Sequence, residues 1–353
     1  MDYPVKDIKI IKISLIIIAS VVVMFVLRLF AFIFIPLFLA LFIALLFLPL
    51  LDWFARKNIP NWLGLIFIVI ISTFLIGITI KVFQKTASEL YYSKNEIIAS
   101  ANEKINPILI HIRDYIGIQN QTSENSSLID VAKLVEEHSG LVISKVGNFI
   151  TGFLMTLFFL SLFLTGANLF EVYIRRISND DKNIIQTFRN IINTLFSYIK
   201  VKFFVSVLTG LAYAIIVMSF GVKFALFWGF LAFLFNFIQY IGPITVSAIL
   251  ILFGFVEIDS TTSLFVFSLL LIATKVIMGG VVEPILMGKS FKINTISILI
   301  SLSIWGFIFG IAGLVLAIPI TVFLKMILER IPATEQLAKM MSTIPQHTKK
   351  KSH

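Results

Sequence analysis

The sequence predicts an all-α fold, a polytopic membrane helix bundle, and three observations carry that prediction. Of its 353 residues 58% are hydrophobic and 14% are charged, against about 45–50% and about 25% in soluble domains. Mean hydropathy is +0.99. Several apolar runs continue for roughly 20 residues, the length that crosses a hydrocarbon core as helix. A membrane β-barrel would show short alternating segments instead.

Taken in order, the runs place about eight transmembrane helices, near 13–31, 33–51, 62–81, 149–170, 203–220, 222–241, 263–282 and 297–328. The start, "MDYPVKDIKIIKISLIIIASVVVMFVLRLF", sets Lys6, Lys9 and Lys12 before an apolar run, as a signal peptide does. No small-x-small cleavage site follows cleanly and another apolar run begins at once, so it reads as an uncleaved first span.

Charge gives the orientation. The net charge of +10 invites a nucleic-acid reading, but its distribution fits the positive-inside rule. Residues 82–148 carry six basic and eight acidic side chains, whereas 171–202 carry six basic and three acidic. The N-terminus, Arg56-Lys57 and the Lys349-Lys350-Lys351 tail are also basic. Both termini are therefore expected in the cytoplasm, with 82–148 on the outer side.

The organisation that follows is three N-terminal spans (1–81), an extramembrane helical hairpin (82–148), a fourth span (149–170) and an amphipathic interfacial helix (171–202). A C-terminal core (203–330) and a basic tail (331–353) complete it. In the hairpin Ile97, Ala101, Ile105, Ile108, Ile112 and Ile116 form one stripe at helical spacing, and "GIQNQTSENSS" is a loop. Between 179 and 200, Ile184, Phe188, Ile191, Leu195 and Ile199 share a face opposite Lys182, Arg189, Asn193 and Lys200, the pattern of an interfacial strut. No internal repeat is apparent.

The parity of crossings rests on the C-terminal half. The apolar piece 244–256 makes only about 20 Å of helix, typical of a broken or re-entrant segment. Run 297–328 is too long for one untilted helix and is interrupted by Gly310, Gly313 and Pro319. Gly288, Gly310 and Gly313 are candidate hinge or packing positions, and Pro319 a candidate kink; small residues also let helices approach closely.

Enzyme chemistry finds no foothold. His111, His138, His347 and His353 fall outside the expected spans, and there is no cysteine. No H-E-x-x-H sequence exists, no serine has a histidine at its membrane depth, and "MGKS" lacks the first glycine of a phosphate-binding loop. No metal and no cofactor is expected, and no nucleic acid.

Polar groups at membrane depth are costly and point to function. "NFIQYIGPI" (236–244) offers Asn236, Gln239 and Tyr240, within one turn of each other and able to line one cavity, beside Gly242-Pro243. The plain alternative is interhelical hydrogen bonding. Lys275 interrupts an apolar run, and Glu283 follows eight residues later, before Pro284. The plain alternatives are a lysine snorkelling to the interface and a solvated glutamate at a helix end. Helix breaks are expected at 242–243 and 283–284, where irregular backbone would line a path.

"YIGP" (240–243), "EPILMGKS" (283–290) and "GIAGLVLAIP" (310–319) together resemble, in order and spacing, the C-terminal half of the autoinducer-2 exporter family of bacterial inner-membrane proteins. The resemblance covers roughly residues 10–330. It implies transport of a small solute, with activities that include autoinducer-2 export and monovalent cation/proton antiport, and a homo-oligomer with a pentamer as candidate assembly. Gln239 stands where many relatives have proline, and Asn294-Thr295 where a His-Pro pair is common. The second departure removes a group that titrates near neutral pH, leaving Glu283 as the proton-coupling candidate and Asn294 as a polar pathway candidate.

The leading reading is a secondary transporter exporting a small polar solute across the bacterial inner membrane, with lipid and that solute or ion as its partners. A cation/proton antiporter is its close alternative. A passive channel, or a scaffold whose outer hairpin binds a partner, is the alternative of another class.

Overall fold

The computed structural model describes residues 5–116, 151–166, 176, 182–288, 293–332 and 334–342. The second arm of the expected outer hairpin, the loop before it and residues 343–353 of the basic tail lie outside the described residues. Among the described residues there is helix and no strand, as the apolar pattern requires. The helices are α1 (Val5–Leu29), α2 (Ala31–Arg56), α3 (Asn61–Ile116), α4 (Thr151–Gly166), α5 (Lys182–Ser219), α6 (Ala225–Phe235), α7 (Ile241–Glu257), α8 (Thr261–Ile277), α9 (Glu283–Met287), α10 (Thr295–Leu328) and α11 (Glu335–Met340).

Five described helices are long and apolar enough to cross a membrane: Ala31–Leu51, Trp62–Ile108, Lys182–Ser219, Thr261–Met287 and Thr295–Leu328. Two expected boundaries vanish. The third span and the first arm of the outer hairpin are one 56-residue helix, α3, about 84 Å long. The expected interfacial helix runs without a break into the span after it, as the 38-residue α5. In both cases no Gly or Pro separates the residues on either side of the expected boundary.

The chain divides into two compact units. The first contains residues 1–65, 151–200 and 287–353. Here α10 packs against α1, α2 and α11, through a core of Ile308, Phe309, Leu316 and Ile320 joined by Phe34 and Phe38. α10 is not one rod. Gly310 has φ 63° and ψ −140°, a backbone that a side chain strongly disfavours. Ser301 Oγ donates to Ala317 O at 3.0 Å, although 16 residues of straight helix would separate them by about 24 Å. α10 is therefore a tight helical hairpin bent at Gly310. A Cβ on Gly313 would lie 1.8 Å from Trp305 O, so close contact between the arms demands glycine there. The interruption expected at Gly310 is present, whereas Pro319 is buried in the second arm and Gly310 alone departs from helical backbone.

The second unit contains residues 66–150 and 201–286. Its core joins Tyr213 and Val217 of α5, Trp228 and Ala232 of α6, Val246 and Leu250 of α7, and Phe267 and Leu271 of α8. α6 has 11 residues and α7 has 17, each shorter than the roughly 20 that cross a bilayer. They pack on each other as a second helical hairpin. Its turn, Asn236–Tyr240, replaces the span expected at 222–241.

Both expected breaks shift. The first lies at 236–240, and Gly242 and Pro243 belong to the first turn of α7, where a missing N–H sacrifices no helix bond. Gly242 serves contact, since a Cβ there would sit 1.8 Å from Phe235 O. At 283–284 there is no break. α8 passes through a π-helical turn, Met278–Val282, into α9. The Glu283 N–H bonds Met278 O, and the widened turn accommodates the donor that Pro284 lacks.

Candidate functional site

A stripe on α5 organises the second unit. Lys202, Ser206, Thr209 and Tyr213 are spaced i, i+4, i+7 and i+11, which places them on one helix face. Their exposures are 2%, 0%, 2% and 1%. Around the same helix Phe204, Leu211 and Ile215 are exposed and apolar, as a lipid-facing surface requires. The helix thus turns its polar groups inward and its apolar groups outward.

Three elements supply partners for the stripe. Lys202 Nζ donates to Glu283 Oε1 at 2.8 Å and to Gln239 Oε1 at 2.5 Å. Asn236 Nδ2 donates to Ser206 Oγ at 3.0 Å. Tyr213 OH lies 2.6 Å from Ser247 Oγ, and Ser247 Oγ donates to Pro243 O at 2.7 Å. The π turn sets the direction of Glu283, because an extra residue in one turn rotates everything after it relative to α8. Such bulges concentrate at functional sites.

The hairpin turn is strained where it delivers Gln239. Ile241 N donates to Gln239 O at 2.7 Å, which closes a γ-turn around Tyr240 at φ 61° and ψ −55°. This is the rare, costly form of that turn. The strain is local to the residue beside the one that meets Lys202.

Of the residues singled out from the sequence, the structure gathers Asn236, Gln239 and Glu283 around one face of α5. Tyr240 is 41% exposed and does not join them. Lys275 is half-buried in the last turn of α8 and has no ion-pair partner among the described residues; the π turn separates it from Glu283. Pro284 is exposed. Asn294 serves the first unit as the N-cap of α10, accepting from Ser297 N at 2.7 Å and donating to Met340 O at 2.6 Å. Gly288 takes φ 59° just after α9.

Lys202 is the residue that sequence reasoning missed. It falls at the end of a basic, amphipathic stretch and counts there as an ordinary cytoplasmic charge. The usable signal was the polar spacing in "KVKFFVSVLTGLAY", which continues from Lys202 through Ser206 and Thr209 to Tyr213 inside an apolar helix.

The first unit holds a smaller polar group. Ser301 Oγ and Thr321 Oγ1 are in contact, Trp305 Nε1 donates to Thr321 Oγ1 at 3.2 Å, and Lys325 bonds Glu329 at 2.6 Å. An apolar groove of about 410 Å3 between α1 and α10, lined by Val23, Leu27, Ile304 and Ile308 among others, has little to hold a polar solute. No cluster of three or more His, Cys, Asp or Glu suited to a metal occurs among the described residues.

Comparison with known proteins agrees with this architecture. The chain is 23% identical over 334 residues to a Haemophilus influenzae protein named "Putative transport protein", covering 92% of this chain and 94% of that one. It is 26% identical over 305 residues to YhhT of Escherichia coli, covering 83% of each. The Escherichia coli AI-2 transport protein TqsA is 30% identical over 158 residues, 43% of this chain and 44% of TqsA. The model of the AI-2E family transporter matches residues 14–333. With nearly the whole chain matched and the membrane helices in place, the protein is a membrane transporter belonging to the AI-2E family.

Proposed function

We propose that the protein is a secondary transporter that exports a small polar, autoinducer-2-like solute across the bacterial inner membrane, through the cluster on α5. One observation carries this reading: Lys202, Glu283, Asn236 and Ser206, all buried, converge on one face of a membrane-crossing helix. Burying such groups is expensive, and membrane proteins retain them where a solute or ion must pass. The short α6–α7 hairpin supports the reading, since irregular backbone at membrane depth is tolerated where it lines a cavity. Both termini face the cytoplasm in this proposal, as the basic flanks suggest, and the working form is a homo-oligomer.

Monovalent cation/proton antiport is the second reading. The observation in its favour is the Lys202–Glu283 pair, whose carboxylate could exchange its cationic partner. Purified protein in liposomes, under imposed pH and sodium gradients and with a panel of tracer solutes, tests both. Export predicts solute flux that a gradient drives and Glu283→Gln abolishes. Antiport predicts proton flux that depends on sodium or potassium. Gradient-independent leak of all solutes overturns both in favour of a channel.

A further inference from the structure

We infer that the groove between α1 and the first arm of α10 is a site for one anionic phospholipid, with an acyl chain along the groove and the phosphate on Arg28. Every residue of it belongs to the first unit, so it shares none with the α5 cluster and does not depend on the transport reading. Its α1 wall runs from Ile16 through Ala19 to Leu27, and Trp305 and Ile308 stand on the α10 side. The polar groups of the lining are already satisfied: Ser20 Oγ donates to Ile16 O at 2.8 Å and Trp305 Nε1 to Thr321 Oγ1 at 3.2 Å. The groove therefore suits hydrocarbon.

Arg28 stands at its mouth, one residue past Leu27, with its guanidinium carbon 4.7 Å from the centroid of the Phe307 ring. The ring takes one face of the guanidinium and leaves the planar fork of N–H donors free at its edge. Arg28 is exposed and makes no ion pair among the described residues. It is the one charge between Lys12 and Asp52, and α10 contains no acid. Asp7 and Asp52, its neighbours in sequence among the acids, are each about 30 Å of helix away. Such a fork takes a phosphate through two bonds at once. No acid waits there for the ammonium of a zwitterionic headgroup, so the site favours an anionic one.

The dimensions select a chain rather than a helix. From Ile16 to Arg28 is about 18 Å of helix, close to the roughly 15 Å of hydrocarbon in one leaflet. A chain whose phosphate meets Arg28 thus ends near where the groove ends. The groove holds about 410 Å3, whereas a helical segment of the same length, 10–12 Å across, takes roughly 1,400–2,000 Å3. A helix from a second copy could lie only across the rim. Leu15, Ile16, Ile17 and Ile18, which follow one another around α1, are 56–61% exposed. This stretch is apolar and open on every side, as contact with lipid requires.

Trp305 lines the groove and stacks on Phe309, so its fluorescence reports the occupant. The test reconstitutes the full chain in phosphatidylcholine vesicles with graded amounts of brominated phosphatidylglycerol or brominated phosphatidylethanolamine, whose chains quench tryptophan on contact. Trp53 and Trp62 are exposed and give a background, which subtraction of the Trp305→Phe signal removes. The site predicts that phosphatidylglycerol quenches Trp305 at about one-fifth of the mole fraction that phosphatidylethanolamine needs, the weight of one interfacial arginine on an anionic lipid. Arg28→Gln should erase that preference, and Arg28→Lys, which keeps the charge but loses the fork, should retain part of it. Ala19→Phe, which fills the groove, should remove the preference and most of the quenching. Excess soluble glycerol 3-phosphate should change nothing. Equal quenching by the two lipids, or a preference that survives Arg28→Gln, overturns the phosphate site. Quenching undiminished in Ala19→Phe overturns the chain's place in the groove. A Trp305 that no brominated lipid quenches overturns the site in favour of a protein occupant, and displacement by glycerol 3-phosphate overturns the lipid in favour of a free phosphate ester.

Discussion

Lys202 Nζ lies 2.8 Å from Glu283 Oε1, with the two side chains 2% and 5% exposed, so the chain buries a complete ion pair between α5 and α9. Breaking such a pair from one side strands a charge and costs about 3–5 kcal/mol, whereas replacing both partners by apolar groups is close to neutral. Lys202→Met and Glu283→Leu should each lower unfolding stability in detergent by about that amount, and the double variant should recover most of it. Transport should be lost in all three. Recovery of stability without recovery of flux separates the functional cost of the pair from its structural one.

The two helical hairpins close on glycines for the same steric reason. A Cβ at Gly242 would lie 1.8 Å from Phe235 O, and one at Gly313 the same distance from Trp305 O. Gly242→Ala and Gly313→Ala should each destabilise by about 1–3 kcal/mol or more, as forced overpacking does. Gly280→Ala, with nothing within 4 Å of the new methyl, should be tolerated. Thermal unfolding of the three variants in one detergent checks the ordering.

The turn at Tyr240 sets stability against activity. Its φ of 61° and ψ of −55° are strained for any side chain, at a cost of about 1–3 kcal/mol. The ring is 41% exposed, so little packing is lost when it is removed. Tyr240→Gly should therefore raise stability by about 1 kcal/mol after the entropic cost of glycine. It should also slow transport, because the γ-turn that presents Gln239 to Lys202 loosens. A destabilised Tyr240→Gly would show instead that the ring itself holds the turn.

Much of this was legible in the sequence, and the remainder was hidden for identifiable reasons. Hydropathy gave the long spans, and "NFIQYIGPI" marked the hairpin turn, because amides inside an apolar run have few other uses. The breaks were placed at Gly242-Pro243 and Glu283-Pro284 because proline disrupts helix interiors. Yet Pro243 occupies a first turn and Pro284 follows a π turn, and neither environment can be read from proline alone. Lys202 was hidden by company: beside Lys200 and after a run of amphipathic residues it reads as positive-inside charge. Tertiary placement decides that Lys200 is exposed while Lys202 is buried.

Two lysines fasten the far end of the α6–α7 hairpin. Lys104 of α3 donates to Val256 O at 3.1 Å and Ile258 O at 2.8 Å and pairs with Asp259 at 3.0 Å, capping the C-terminal end of α7 with a cation. Lys223 pairs with Glu96 at 2.8 Å and Glu257 at 3.8 Å. The hydrogen bond to Glu96, then the charge of Glu257, hold Lys223 above the ordinary lysine range. A raised lysine stabilises the fold fully below its unfolded pKa, about 10.4, and the contribution is lost as pH rises through the folded value. The Lys223 clasp should thus be intact and indifferent to pH between about 6 and 9. Its side chain is 34% exposed, so Lys223→Gln should cost only about 0.2–1 kcal/mol, and less in high salt. Lys104→Met, which leaves two carbonyls uncapped, should cost more, about 1.5–3 kcal/mol. Hydrogen exchange at the C-terminal end of α7 reads both losses locally: faster exchange there in Lys104→Met, with the Lys223→Gln gap closing only in strong alkali, is the expected pattern.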